Sequence, residues 1–358
     1  MFAKIAVLGL GKVGRLAAEL LTDAGFDVVG FDAHPVADAP FSVHSVDLGD
    51  AHAMGAALAG REAVLSCLPY AFNKEAASTA HARGLHYFDL TEDVGTTKHI
   101  RALARSAKGI MAPQCGLAPG FVGIVGAHLA RQFERVRSIR LRVGALPQHP
   151  TGLLGYAFNW SPEGVVNEYL NDCEVIEEGV LKTIPAMEWL ETVYVGGVRL
   201  EAFTTSGGLG TMCETFANQV EDLDYKTMRY PGHVSLMNFF FHELLMREDR
   251  AAAGKILTHA KPPVDDDVVY VHVAAEGWAD GRLGRREFVR AYYPIEIKGK
   301  ARTAIAWTTA ASAAAVIEMA RSGVLPPEGF LKQETIPLER FFETRTGRLY
   351  AEHGRSGR

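Results

Sequence analysis

Three glycines within six residues, Gly9-Leu10-Gly11-Lys12-Val13-Gly14, limit what this chain can fold into more than any other stretch. The apolar run Ile5-Ala6-Val7-Leu8 before them reads as a buried strand. Arg15-Leu16-Ala17-Ala18-Glu19-Leu20-Leu21 after them carries apolar residues at helical spacing. In a strand–turn–helix unit the first glycine permits the tight turn and the second lets backbone approach a pyrophosphate. The third lets helix and strand pack closely. The helix N-terminus then offers free N–H groups and a partial positive charge to phosphates. Gly9, Gly11, Lys12, Val13 and Gly14 are therefore the expected phosphate loop of a dinucleotide site.

The next strand, Asp27-Val28-Val29-Gly30-Phe31-Asp32, ends in an acid. A carboxylate there accepts hydrogen bonds from adenosine ribose hydroxyls and repels a 2′-phosphate. No Arg or Lys stands in the following Ala33-His34-Pro35, so the expected cofactor is NAD rather than NADP. Strand and helix keep alternating through Ser42 to Leu48, Ala63 to Pro69, His86 to Leu90 and Gly109 to Ala112. Repeated βα units make a right-handed, mostly parallel sheet whose ligands sit outside the strand carboxyl ends. Ser66, Leu68, Pro69 and Thr91 join the expected cofactor contacts on that ground. Asp47 is placed at the adenine edge, although a solvated loop carboxylate reads equally well, and Asp89 stands at the end of the fifth strand.

From Arg137 the texture changes. Ser138 to Val143 alternates as a strand with one wet face does. Strand-like runs follow at Glu188 to Val195, Val198 to Thr205, Val268 to Ala275 and Phe288 to Ile297, with Asp280-Gly281 at a hairpin tip. Helical patches lie at Glu163 to Leu170, Met212 to Val220 and Val234 to Met246, and Asp265-Asp266-Asp267 reads as a solvated loop. The Ala-rich helix Thr303 to Ser322 suggests a return to the first domain, and the tail from Gly347 reads as frayed. The fold class is α/β: an N-terminal doubly wound parallel sheet of Rossmann type, with a central α+β domain on a mixed sheet.

A net charge of −5 and a pI near 6.2 give no electrostatic case for nucleic acid or for an anionic membrane. No apolar run approaches a membrane span, and the first residues lead straight into a strand, so a cytoplasmic protein without signal peptide is expected. Four widely spaced cysteines without a CxxC pair offer neither a metal site nor a disulfide framework.

Three clusters in the middle of the chain are dense in chemistry. In Asn159-Trp160-Ser161-Pro162-Glu163-Gly164, Ser161 is the expected N-cap and Pro162 the first helical residue. Thr204-Thr205-Ser206-Gly207-Gly208-Leu209-Gly210-Thr211 is a small polar loop able to wrap a ligand closely, or a flexible connector. In Tyr225-Lys226-Thr227-Met228-Arg229-Tyr230-Pro231-Gly232-His233, strand alternation puts Thr227 and Arg229 on one face. Arg229 and a helix starting near Pro231-Gly232 offer a joint clamp for a carboxylate, and His233 is a candidate proton carrier.

These motifs, together with Cys115-Gly116-Leu117-Ala118-Pro119-Gly120, resemble the saccharopine dehydrogenase family, and within it the lysine 6-dehydrogenase branch. The resemblance spans nearly the whole chain. It implies a Rossmann domain at 1–122 completed by C-terminal helices at 303–358, and a substrate-binding domain at 123–302 that makes a homodimer contact. It implies NAD-dependent oxidation of the ε-amine of L-lysine, with water then releasing ammonia. Saccharopine dehydrogenase activity is the near alternative, and a non-catalytic NAD-binding sensor a further one. Two departures favour lysine: Ala118 stands where saccharopine reductases typically show an acid, and Asp32 suits NAD where those reductases mostly prefer NADP. The amine must lose its proton before hydride leaves its carbon, and a free ε-amine has a pKa near ~10.4. Glu163, Asp89 and His233 are the candidates for that proton work, unranked by sequence. Arg229 is assigned to a small basic amino acid's α-carboxylate, with Thr211 and Tyr225 shaping the pocket.

Overall fold

The structure is a computed structural model that describes residues 2–34 and 36–356, so Met1, Pro35, Gly357 and Arg358 of the ranges above lie outside it. It divides into two compact units. The first runs to Ile124 and resumes over Ala306–Glu352, and the second holds Val125–Ile305 and the tail from His353.

The first unit is built on β1 (Lys4–Leu8), β2 (Asp27–Asp32), β3 (Ser42–Ser45), β4 (Ala63–Ser66), β5 (His86–Asp89) and β6 (Ile110–Ala112). Helices α1 (Lys12–Asp23), α2 (Ala51–Ala57), α3 (Tyr70–Ala82) and α4 (Val94–Ala104) connect them. The strands lie in the order β6-β5-β4-β1-β2-β3, all parallel, with Gly329–Phe330 added beside β6. Winding reverses between β1 and β4, and a crevice for ligands opens at such a switch. The apolar run of β1 is buried because helices cover both faces of a parallel sheet. Leu16, Ala17, Leu20 and Leu21 form the buried stripe of α1.

The tail from Gly347 is not frayed. Arg348–His353 is helical, and Tyr350 is 1% exposed, stacked on Phe121 at 4.0 Å with its hydroxyl donating to the Thr308 carbonyl. Arg355 and Ser356, within the 303–358 range expected to complete this unit, pair with Ala291 and Arg290.

After α5 (Phe121–Ala130) the second unit supplies β7 (Arg135–Pro147), α6 (Pro162–Leu170), β8 (Cys173–Glu177), β9 (Val180–Ile184), β10 (Glu191–Val195) and β11 (Val198–Thr204). Then come α7 (Met212–Thr215), β12 (Asp222–Arg229), α8 (His233–Asn238), α9 (Arg250–Ala260), β13 (Asp267–Ala279), β14 (Arg282–Tyr292) and α10 (Ala304–Arg321). The sheet order is β10-β11-β12-β7-β13-β14, with the β8–β9 hairpin attached to β12. Among the described residues only β7 and β12 of this sheet run parallel, which makes it mixed. Residues of α6, α8 and α9, among them Val165, Tyr169, Val234, Met237 and Leu257, share one core with Leu146, Met228, Val268 and Tyr270 of the strands.

Several boundaries move for local reasons. The expected strand from Glu188 starts at Glu191 because Met187 and Trp189 adopt positive φ. The expected helix to Val220 stops at Thr215, ahead of Asn218 with φ of 60°. The helix expected to Met246 becomes a π-helical turn at Phe239–Glu243 and ends before Leu245, again at positive φ. Asp267 is no solvated loop residue. It is wholly buried, opens β13, and accepts the Ala304 and Ile305 amides at 2.5 and 2.9 Å, the first turn of α10.

Candidate functional site

Two constellations stand out, one in each unit. In the first, Gly9, Asp32, Asp47, Ser66 and Thr91 all lie at or just beyond the carboxyl ends of β1 to β5. Gly9 has φ of +83°, where a side chain is strained. A Cβ on Gly14 would lie 1.9 Å from the Gly9 carbonyl oxygen, whereas one on Gly11 would meet nothing within 4 Å. The loop is thus closed on its inner side and open where a pyrophosphate has to come near. Lys12 begins α1 and is exposed, and Val13 is half-buried.

Asp32 ends β2. One carboxylate oxygen accepts the Leu10 amide at 2.6 Å and the other the His34 amide at 2.8 Å, so this acid braces the glycine loop. A cation does reach the loop beyond β2, but from α1: the Arg15 guanidinium donates to the Asp38 carbonyl at 3.0 Å and pairs with Glu19 at 3.2 Å. A search of the residues following Asp32 misses it for that reason. Asp47 is exposed and accepts the Gly49 amide at 2.9 Å. The Ser66 hydroxyl is wholly buried and donates to Asn73 at 2.7 Å, which leaves this residue's backbone to mark the strand end. Leu68 is half-buried against Gly9, Pro69 precedes α3, and the Thr91 hydroxyl accepts the Asp93 amide at 3.1 Å.

Asp89 is also wholly buried. It accepts the Thr91 and Gln114 amides at 3.0 Å each and the Tyr87 hydroxyl at 3.0 Å. Burial raises its pKa to about 6 against the lowering effect of those donors. Its carboxylate therefore ties together the loops after β5 and β6. Burial and the nearby Asp89 charge push the Cys67 thiol up to about 12, and Cys115 is raised by the same two causes. The Cys115 thiol donates to the Ala112 carbonyl at 3.2 Å and accepts from Gln333 at 3.3 Å, which is the behaviour of a packed, neutral thiol.

In the second unit Arg229, Tyr169 and His233 form one buried cluster, exposed by 2%, 1% and 1%. Arg229 closes β12, Tyr169 lies in the last turn of α6, and His233 opens α8. The Arg229 Nε donates to the Tyr169 hydroxyl at 2.7 Å, and its Nη1 donates to the Thr227 hydroxyl at 2.6 Å and the Met228 carbonyl at 2.9 Å. The guanidinium lies 4.6 Å from the centre of the Tyr156 ring. Burial disfavours its charge, but Tyr156, Tyr169 and Glu168 more than offset this, so its pKa rises and it stays cationic. His233 touches the Leu154 carbonyl through Nδ1 at 2.9 Å and the Tyr169 hydroxyl through Nε2 at 3.0 Å. Burial first, and the Arg229 charge second, lower its pKa to about 3, so the ring is neutral at physiological pH.

Tyr225 is buried, its ring lies against Gly208, and burial raises its pKa. Thr211 is buried just ahead of α7. Glu163 is exposed in the first turn of α6, which Ser161 caps by accepting the Gly164 amide at 3.0 Å. The start of α8 is already filled: the Glu201 carboxylate accepts the Gly232 and Val234 amides at 2.8 and 2.7 Å. That helix end therefore has no free Gly232 or Val234 amide to add to Arg229 in a carboxylate clamp.

Sequence reasoning passed over Tyr169, Tyr156 and Glu201. Tyr169 carried a signal, since the Ser161 cap sets the phase of α6 and Val165 and Tyr169 share its inner face. Glu201 carried none, because strand alternation does not say which amides a side chain will meet. Among the described residues no group of three or more His, Cys, Asp or Glu could hold a metal ion, and no helix is long and apolar enough to cross a membrane.

The fold and these constellations define a nicotinamide-dinucleotide oxidoreductase fold with a separate sheet domain. Comparison with known proteins makes this particular. Residues 5–112 match the family described as Saccharopine dehydrogenase NADP binding domain, and residues 116–354 match Saccharopine dehydrogenase C-terminal domain. The chain belongs to the saccharopine dehydrogenase family. It is similar to saccharopine dehydrogenase [NADP(+), L-glutamate-forming] of Pyricularia oryzae, 22% identical over 52% of this chain and 45% of that one. The Schizosaccharomyces pombe protein of the same description is 23% identical over 41% of this chain and 34% of its own length. These alignments span less than half of either relative. Apo saccharopine dehydrogenase (L-Glu forming) from Saccharomyces cerevisiae shares the fold, with a TM-score of 0.74, 16% identity and 98% of each chain covered. A nicotinamide cofactor is supported throughout, but the names point to NADP where Asp32 led to an expectation of NAD. They also stand nearer to saccharopine dehydrogenase than to the expected lysine 6-dehydrogenase.

Proposed function

We propose that this chain is a nicotinamide-dinucleotide-dependent oxidoreductase of the saccharopine dehydrogenase type, acting at the carbon–nitrogen bond of an amino-acid amine. The observation that carries this reading is the succession of two family domains over residues 5–112 and 116–354. The dinucleotide, when bound, takes up the hydride. The glycine loop would hold its pyrophosphate against the α1 N-terminus. Arg229, charged and buried, is suited to a substrate carboxylate: the three bonds above engage its Nε and Nη1 and fix the plane of its fork.

A burial-lowered substrate pKa would supply the neutral amine that hydride loss requires. His233, with both nitrogens engaged, is ill placed for proton transfer in this geometry, and Asp89 is spent on backbone amides. Glu163 keeps its exposed carboxylate for that role.

Oxidation of the primary ε-amine of lysine is the second reading, and Ala118 together with Asp32 favours it. The two cofactors divide the observations: Asp32 at the end of β2 supports NAD, whereas the names of relatives support NADP. Purified protein should reduce the dinucleotide when given saccharopine or lysine, followed at the nicotinamide absorbance with both cofactors. No reduction with either amine would remove the activity. A higher kcat/KM with NADP than with NAD would remove the argument from Asp32.

A further inference from the structure

With the His233 ring neutral, the cluster around Arg229 has one hydrogen arrangement, set by its donors and acceptors. The Leu154 carbonyl can only accept, so His233 Nδ1 carries the ring hydrogen at that 2.9 Å contact. A neutral ring then has only a lone pair at Nε2, so the Tyr169 hydroxyl donates across the 3.0 Å contact. With its hydrogen committed there, the Tyr169 oxygen offers lone pairs to Arg229 Nε at 2.7 Å. The chain runs Arg229 to Tyr169 to His233 to Leu154, every link directed the same way. Each side chain is nine-tenths buried or more, so water does not compete for these bonds. Phe203 stacks on the imidazole at an interplanar angle of 15°, and Tyr156 meets it edge-on at 68°, holding the ring plane that the relay needs.

We propose that Tyr169 and His233 are positioning residues for the anion-binding fork of Arg229, which they hold in one rotamer with its Nη2 edge presented to the substrate. The inference rests on the reading of Arg229 as the carboxylate anchor. It reassigns His233 from proton transfer to orientation: the imidazole contributes a fixed donor and a fixed acceptor and exchanges no proton during turnover. A loosened fork still carries its charge, so it binds the carboxylate less well without altering the reacting atoms.

The experiment compares steady-state kinetics of the full chain, with cofactor saturating and the amino-acid substrate varied, for Arg229→Ala, Tyr169→Phe, His233→Leu and His233→Gln. Losing a hydrogen bond to a charged group weakens binding about tenfold to a hundredfold, and Tyr169→Phe should raise the substrate KM by that factor with kcat changed less than about threefold. His233→Leu should do the same. His233→Gln keeps one donor and one acceptor and should recover most of the loss, a pattern that general destabilisation does not give. Thermal midpoints measured alongside identify any variant that fails to fold, and Tyr169→Phe, which removes a single oxygen, then decides. Unchanged KM in Tyr169→Phe with a raised KM in Arg229→Ala overturns the relay. Unchanged KM in Arg229→Ala overturns the anchor itself. A fall in kcat at constant KM in Tyr169→Phe or His233→Leu also overturns the proposal, since it would make that residue a participant in proton transfer.

Discussion

At the scale of single residues, Gly14 and His233 are each constrained by what surrounds them. Gly14 must be glycine, because any Cβ would lie 1.9 Å from the Gly9 carbonyl oxygen. Gly14→Ala should lose about 1–3 kcal/mol as backbone shifts to make room, and dinucleotide affinity should fall with it. Urea unfolding and fluorescence titration with NAD and NADP read both effects, and wild-type values in each would refute the packing argument. His233 is the other. Its pKa is about 3 in the fold and near ~6.5 in an unfolded chain. Between those values the unfolded chain binds more protons, so stability present above pH ~6.5 is lost as pH falls towards 3, at up to about 1.4 kcal/mol per unit. Replacing it in His233→Gln should flatten that slope, measured as the difference in urea midpoint between pH 7 and pH 5. The same slope in both proteins would mean that the ring titrates normally.

At the scale of elements, the mixed sheet of the second unit is held together by charges that its register forces into contact. Arg142 of β7 pairs directly with Lys226 of β12, which sets two buried cations side by side. Asp224 answers with both carboxylate oxygens on Arg142 at 2.9 Å each. Glu191 of β10 reaches Arg142 and also Lys226, the latter at 3.1 Å. Burial and the Arg142 charge lower the Lys226 pKa, while the two carboxylates raise it in opposition. Asp224→Ala strands two buried cations on one partly exposed carboxylate and should cost about 3 kcal/mol, since breaking a buried pair leaves a charge uncompensated. Thermal or urea unfolding measures it, and a loss below about 1 kcal/mol would show that water or Glu191 suffices. The same register kept this network out of view in the sequence, where Arg142 reads as a wet-face charge and Asp224 stands far from it. The helix ends are similar. Ser161 before Pro162 announces its cap, whereas Glu201 and Asp267 cap α8 and α10 from remote strands.

At the scale of the whole molecule, Val180 and Leu181 of β9 and Tyr194 of β10 are exposed by 56%, 59% and 64%. We propose these apolar side chains as a candidate face for the homodimer that the family resemblance implies. Sedimentation should give twice the mass of 38.9 kDa, and a monomer at micromolar concentration would retire it. The chain's order of elements was largely written in its periodicities. Continuous apolar strands between helices of period 3.6 set the parallel sheet apart from the strands that alternate with period two, and the glycine spacing fixed the βαβ start, because those signals are local and each residue carries its own. Elements whose burial comes from distant partners left little trace: β8 and β9 form a half-exposed hairpin, and α9 is short and only partly covered. Of the site, Gly9 to Gly14 and Asp32 were legible as a set because backbone geometry demands those residues at that spacing. Arg229 and His233 were visible as residue types, but their arrangement was not. Only tertiary structure brought Tyr169 from α6 between them, filled the α8 N-terminus with Glu201, and buried Asp89 among amides. Hydrogen-bond partners are set by which surfaces the folded chain presses together, and sequence spacing does not encode that across remote elements.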